Sequence, residues 1–226
     1  MARLVLWDID HTLISTRGVG RALSAAAFEE VTGQPMREQV QINGITEPVI
    51  FRETAKLHGL TTDRKDFERF AKALAEQHLH RAAELREHGH ALPGAAAALD
   101  ALAAAGVRQT VVTGNVKGAA KVKLGVFGLD THIDWDSGAY GEDADLRSGL
   151  VELALRRSGS EPRNAALIGD TPADVEGGRA TGVRVVAVAT GRSSAEELLS
   201  AGADVVLQDL TDIDLLARLV RAEGSL

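Results

Sequence analysis

The sequence predicts an α/β chain, a parallel sheet covered on both faces by helices. Three observations carry this. In the second half, short apolar segments alternate with helical ones. The apolar segments end on turns rich in Asp, Thr and Gly, where ligands of such sheets bind. About a hundred residues separate the first apolar segment from the next, whereas a simple crossover needs only ~10–12.

Residues 3–13, RLVLWDIDHTL, read as a buried strand running into Asp8-Ile9-Asp10-His11-Thr12-Leu13. The segment 19–31 reads as a helix stopped by Gly33. Thr46 is placed to cap a helix that has Pro48 in its first turn and runs to Gly59. Residues 63–87 form one long amphipathic segment with Phe67, Phe70, Leu74 and Leu85 on its apolar side. Leu92-Pro93-Gly94 returns the chain, and 95–105 is the crossover helix. Strands are expected at 108–114, 164–170 and 183–190, with a short one in ADVVL. Helices are expected at 116–124, 147–157, 172–181, 194–200 and 213–221. The pattern divides into a core, 1–14 with 91–226, and a helical insert, 15–90.

Composition narrows the class. The chain has 226 residues, ample for a buried core, and 45% of them are hydrophobic. A formal charge of −7 and no basic stripe argue against nucleic acid. No apolar run approaches the ~18 residues needed to span a bilayer, and MARLVLWDID is too short and acidic for a signal peptide. The absence of cysteine excludes disulfides and thiolate metal sites. The expectation is a cytoplasmic protein with neither membrane nor nucleic acid as partner.

The chemistry lies in the strand-end turns. Asp8 and Asp10, two positions apart, repel one another where little water reaches. A divalent cation would relieve both costs. Thr113 ends a strand, and Gly114 lets backbone approach a ligand closely. Asp170 and Asp174 flank a helix start. T-x-x-D there also reads as a capping box, but Asp170 follows a glycine after an apolar strand, where an uncompensated charge is costly. His78, His80, His88 and His90 look like a metal cluster, yet His78 and His80 cannot share a helix face. Asp134, Asp136 and Glu142 lack the ligand spacing of a calcium loop.

DIDHTL, VVTGN at 111–115 and LIGDTPAD at 167–174 together resemble the haloacid dehalogenase superfamily, in its phosphatase branch. The nearest subgroup is phosphoglycolate phosphatase-like. The resemblance implies a Rossmann-like core with a helical cap inserted after the first strand. It implies an Mg²⁺-dependent phosphatase acting on a small phosphorylated metabolite through an aspartyl-phosphate. Asp8 would be the nucleophile and Asp10 the acid/base, a role that calls for a raised pKa. Thr113 and Gly114 would bind the phosphoryl group. Asp8, Asp10 through its carbonyl, Asp170 and Asp174 would hold Mg²⁺. The family's usual Lys-Pro signature is missing, so Arg147 is the favoured cation, with Lys117, Lys121 and Lys123 as competitors. Asn43-Gly44-Ile45-Thr46 is similar to a specificity loop, which would make Thr46 substrate-binding, although a helix cap is its simpler reading. His11 stands where the family more often has Gly. A phosphomutase on the same scaffold, or an inactive relative used for binding, are the competing readings.

Overall fold

The computed structural model describes residues 4–41 and 44–221. Arg3, expected to open the first strand, and Asn43 of the predicted loop lie outside the described residues. The chain enters on β1 (Leu4–Trp7) and makes a two-residue strand, β2 (Ile14–Ser15). Four helices follow: α1 (Val19–Thr32), α2 (Glu47–Leu57), α3 (Arg64–His80) and α4 (Ala82–His88). After β3 (His90–Ala91) come α5 (Ala95–Ala104), β4 (Arg108–Val111), α6 (Lys117–Val126) and α7 (Arg147–Ser158). The chain closes through β5 (Ala165–Gly169), α8 (Pro172–Thr181), β6 (Arg184–Val188), α9 (Ala195–Ala201), β7 (Val205–Leu207) and α10 (Ile213–Arg221).

The main sheet has the order β4-β1-β5-β6-β7, and every neighbouring pair is parallel. Its strands read as unbroken apolar runs because both faces are covered. The two-residue period of a strand sorts their side chains. Val5, Trp7, Ala166, Ile168, Val186 and Val188 point into a core built with α5, α6 and α10. Leu4, Leu6, Ala165, Leu167, Val185 and Ala187 point into the opposite core, with α7, α8 and α9. Parallel pairing brings all the carboxyl ends to one edge. Trp7 lies level with Val111 and with Ile168, so Asp8, Thr113 and Asp170 emerge together.

The helices α1–α4 have a core of their own. Phe28, Phe51, Phe67 and Phe70 fill it, and Phe51 stacks on Phe70 with ring centroids 4.5 Å apart. Val116, which precedes α6, and Ala119 within it join this cluster. Gly118 permits that approach, since a Cβ there would stand 2.5 Å from Ala75 Cβ on α3. The insert therefore packs on the core along a helix as well as at its junction.

Two sequence expectations need correction, and one element was not foreseen. The segment 63–87 is two helices, broken at Arg81, which brings Leu85 into the insert core. Thr46 occupies the N-cap position of α2 but its hydroxyl does no capping, because it donates instead to the carbonyl of Asp145 at 3.2 Å. The antiparallel pair β2–β3, Ile14 opposite Ala91 and Ser15 opposite His90, has no sequence signal at two residues per strand. It fastens both ends of the insert at one point.

Replacement of Phe51, 1% exposed, by alanine should lower unfolding free energy by about 3–5 kcal/mol, the range for emptying an aromatic core site. Urea unfolding measures it, and a loss below about 1 kcal/mol would contradict an aromatic core in the insert.

Candidate active site

Asp8 is carried at the end of β1, its N–H donating to the carbonyl of Ile168 at 2.9 Å. The chain then turns tightly. Leu13 and Ile14 both donate to the carbonyl of Ile9, and His11 donates to that of Ile14. The turn puts His11 at φ 62, the left-handed region where glycine is at ease, which accounts physically for the family's preference there. It also turns Asp10 into surroundings different from those of Asp8.

Asp8, 5% exposed, shares its site with Asp170 and Asp174, which are 2% and 0% exposed. One carboxylate oxygen from each lies within 4.8 Å of the other two. Arg147, at the start of α7, reaches into this group. It donates from Nη1 to Asp8 Oδ1 at 3.3 Å and to the carbonyl of Val112 at 3.0 Å. Its Nε stands 3.1 Å from Asp174 Oδ1, too poorly aligned for a hydrogen bond, so both atoms are buried without one. Thr171 caps α8 and forms the foreseen capping box with Asp174, which occupies only Asp174 Oδ2. Thr12 donates to Asp170 Oδ1 at 3.2 Å.

The charges follow from this arrangement. Burial, with Asp174 and Asp10 adding to it and Arg147 opposing, pushes Asp8 up to about 7. Burial and the neighbouring Asp8 and Asp174 push Asp170 up to about 9. Burial works against the Arg147 cation, but Asp174, Asp8 and Asp170 outweigh it and raise its pKa. Three hard carboxylates facing one point, one with an unbonded buried oxygen, fit a small divalent cation such as Mg²⁺. The side chain of Asp10 is outside this group.

Asp10 belongs to a second cluster. Lys123 Nζ lies 2.9 and 2.7 Å from its two oxygens and 2.6 Å from Asn115 Oδ1. Asn115 Nδ2 donates to Asp10 at 2.7 Å and to the Thr113 hydroxyl at 2.8 Å. The raised pKa expected for Asp10 is not found. Burial pushes it up, but Lys123 and Asn115 prevail and hold it below the usual carboxylate range.

The expected choice among cations is thus resolved into two positions. Arg147 stands beside Asp8, and Lys123 beside Asp10. Lys117 pairs with Asp136, and Lys121 lies over the ring of Trp135. Of the calcium-loop candidates, Asp134 accepts from Ser137, and Glu142 accepts from the N–H of Lys117.

A cavity of about 480 Å³ opens over both clusters, within the usual range for small-molecule sites. Asp8, Asp10, Thr113, Gly114 and Asp170 line it from the core, and Ile45, Glu47 and His78 from the insert. Thr46 does not line it and is fully buried, which corrects the expectation that it meets substrate. Gly114 also has a use that was not foreseen. A Cβ there would come within 2.7 Å of the Ile45 carbonyl, so its bareness makes room for the insert loop, and its own carbonyl accepts from the N–H of Glu47. Sequence reasoning missed Asn115, Glu47 and Thr12, and set His78 aside with the other histidines.

Comparison with known proteins agrees with this geometry. Residues 5–188 match the family described as haloacid dehalogenase-like hydrolase. A phosphoglycolate phosphatase of Rhodospirillum rubrum is 31% identical over 218 residues, covering 94% of this chain and 90% of that one. A pyrophosphatase of Oceanobacillus iheyensis is 23% identical, covering 93% and 94%. The crystal structure of a hydrolase from Pseudomonas syringae superposes with a TM-score of 0.70 at 19% identity, over 99% of this chain and 100% of that one, a likeness of fold.

Gly177 of α8 is what lets Arg147 lie where it does, because a Cβ would stand 2.8 Å from Arg147 Cγ. Gly177→Ala should destabilise the protein by about 1–3 kcal/mol, as overpacking does. Chemical denaturation reads it, and a neutral or stabilising outcome would mean that Arg147 does not rest on this helix.

Proposed function

The chain belongs to the haloacid dehalogenase-like hydrolase family, and from that premise we propose that it hydrolyses a small phosphomonoester in two steps through Asp8, with Mg²⁺ as cofactor. The observation that carries this reading is that two carboxylates two residues apart have opposite surroundings. Asp8 faces a guanidinium and two further acids, while Asp10 is gripped by an ammonium. Environments that differ in this way are how one site assigns a nucleophile and an acid/base.

In the first step an Asp8 oxygen attacks phosphorus. The bond to the alcohol oxygen breaks, and that oxygen takes up a proton. In the second step water attacks the aspartyl-phosphate, giving its proton to Asp10, and phosphate leaves with Asp8 restored. Asp10 is held ionised, which suits the second step. For the first, the proton store in contact with it is Lys123, at 2.7 Å. Thr113 accepts from Asn115, which leaves its own hydroxyl proton to donate to a phosphoryl oxygen. Arg147, anchored on the Val112 carbonyl, keeps Asp8 in place and shares the phosphoryl charge. Mg²⁺ held by Asp8, Asp170 and Asp174, with the carbonyl of Asp10, would supply positive charge to the transferring group.

The helices α1–α4, taken as a cap, exclude water from this chemistry. Arg17, Arg21 and Arg192 stand exposed on the cavity lining, where they favour the approach of an anion. A cavity of this size suits a small metabolite better than a phosphoprotein. The two relatives, named for different substrates, leave the identity of that metabolite to the cap.

Chelation should abolish phosphate release from an aryl phosphate, and Mg²⁺ should restore it. Full turnover in metal-free buffer would contradict the metal assignment.

Asp8→Asn should form no phosphoenzyme at all. Asp10→Asn should still be phosphorylated slowly by an ester with a good leaving group, which needs little protonation. Acid quench and detection of protein-bound phosphate measure both, and the reverse pattern would exchange the two roles. Transfer of phosphate to a sugar, in place of its release to water, would identify a mutase.

A further inference from the structure

Two side chains of the insert reach the cavity with an unbonded acceptor each. Glu47 opens α2, and its Oε2 is buried with no hydrogen-bond partner; burial pushes its carboxyl up to about 7, so above that pH it is an ionised acceptor. His78, on α3, is 2% exposed. Its Nδ1 contacts the Leu74 carbonyl at 2.8 Å, so Nδ1 carries the ring's proton. Burial, helped by Lys123, pushes His78 down to about 4, which keeps the ring neutral. Its Nε2 is thus a lone-pair acceptor, also buried and unpartnered.

Both groups belong to one side of the site. Lys123 and Asp10 act on both Glu47 and His78. In the mechanism above that is the side on which the alcohol departs. Buried acceptors left unbonded are costly, so a ligand that supplies donors there is favoured over one that does not.

We propose that Glu47 and His78 select the leaving group, hydrogen-bonding donors on an alcohol that carries further hydroxyl or ammonium groups. This deepens the phosphomonoesterase reading and rests on it. It places polyol or amino-alcohol phosphates ahead of phosphoglycolate, whose far end is a carboxylate and brings no donor. The exposed arginines meet an anion at the rim, while the two acceptors meet the substrate deeper in.

The test is kcat/KM with Mg²⁺ for glycerol 3-phosphate, glucose 6-phosphate, phosphoethanolamine, phosphoglycolate and p-nitrophenyl phosphate. The wild type should rank at least one hydroxyl- or ammonium-bearing ester above phosphoglycolate. Glu47→Leu and His78→Leu should each lower kcat/KM for that ester, relative to the nitrophenyl ester, by tenfold or more. Glu47→Gln keeps a carbonyl acceptor without charge. It should preserve the ratio for a hydroxyl substrate and lose it for an ammonium one, which distinguishes the two. Should His78→Leu fail to fold, Glu47→Leu at the first turn of a helix reads the same ratio. Phosphoglycolate ranked first, or ratios unchanged in the variants, would overturn the inference while leaving the phosphatase intact. A wild type inert toward every ester would take both readings down.

Discussion

The structure depends on how buried negative charge is compensated at one edge of a parallel sheet. Strand register brings Asp8 and Asp170 together, the first turn of α8 adds Asp174, and none has water enough to be comfortable as an anion. Arg147 is the protein's own partial answer. It is a single cation set against three acids, and it is held by a backbone carbonyl and a glycine-lined helix face. The remaining imbalance is one that a bound divalent cation would offset, which is the basis of the metal role proposed above.

The second charge pair solves a different problem. Lys123 is buried and Asp10 half-buried, and Asn115 fills the hydrogen-bonding gaps between them. Such a pair is costly to break, which fixes the position of Asp10 before substrate arrives. The price of that order is a carboxylate held ionised, so in the proposed mechanism the proton for the departing alcohol is drawn from the pair and not from Asp10 alone.

Much of this was legible from residues alone, for physical reasons. Strands buried on both faces are written as apolar runs, and helices with glycine or proline boundaries declare their ends, so the sheet and most helices could be read. Asp8, Asp170 and Asp174 could be grouped because strand ends in a parallel sheet share an edge. What could not be read depends on packing between distant segments. Lys123 reaches Asp10 across 113 positions, and Glu47 and His78 reach the cavity only because α2 and α3 fold back over the core. Arg81 ends a helix without glycine or proline, so the break in 63–87 left no trace in the periodicity. Thr46 has the right identity and place for a cap, and only the nearby carbonyl of Asp145 diverts it.

The central position of β1 has a consequence for how the chain reaches its native state. Leu4 pairs with Arg108 on one side and Ala165 on the other, so the first strand made is among the last to be paired. Its immediate successors, α1–α4, find their aromatic partners locally and can collapse early. Contacts so distant in sequence slow folding, and an unpaired apolar strand is a template for association with other chains. Asp8 therefore sits, during synthesis, on a solitary sticky strand. Asp8 acquires its acidic neighbours only when residues beyond 165 have joined the sheet.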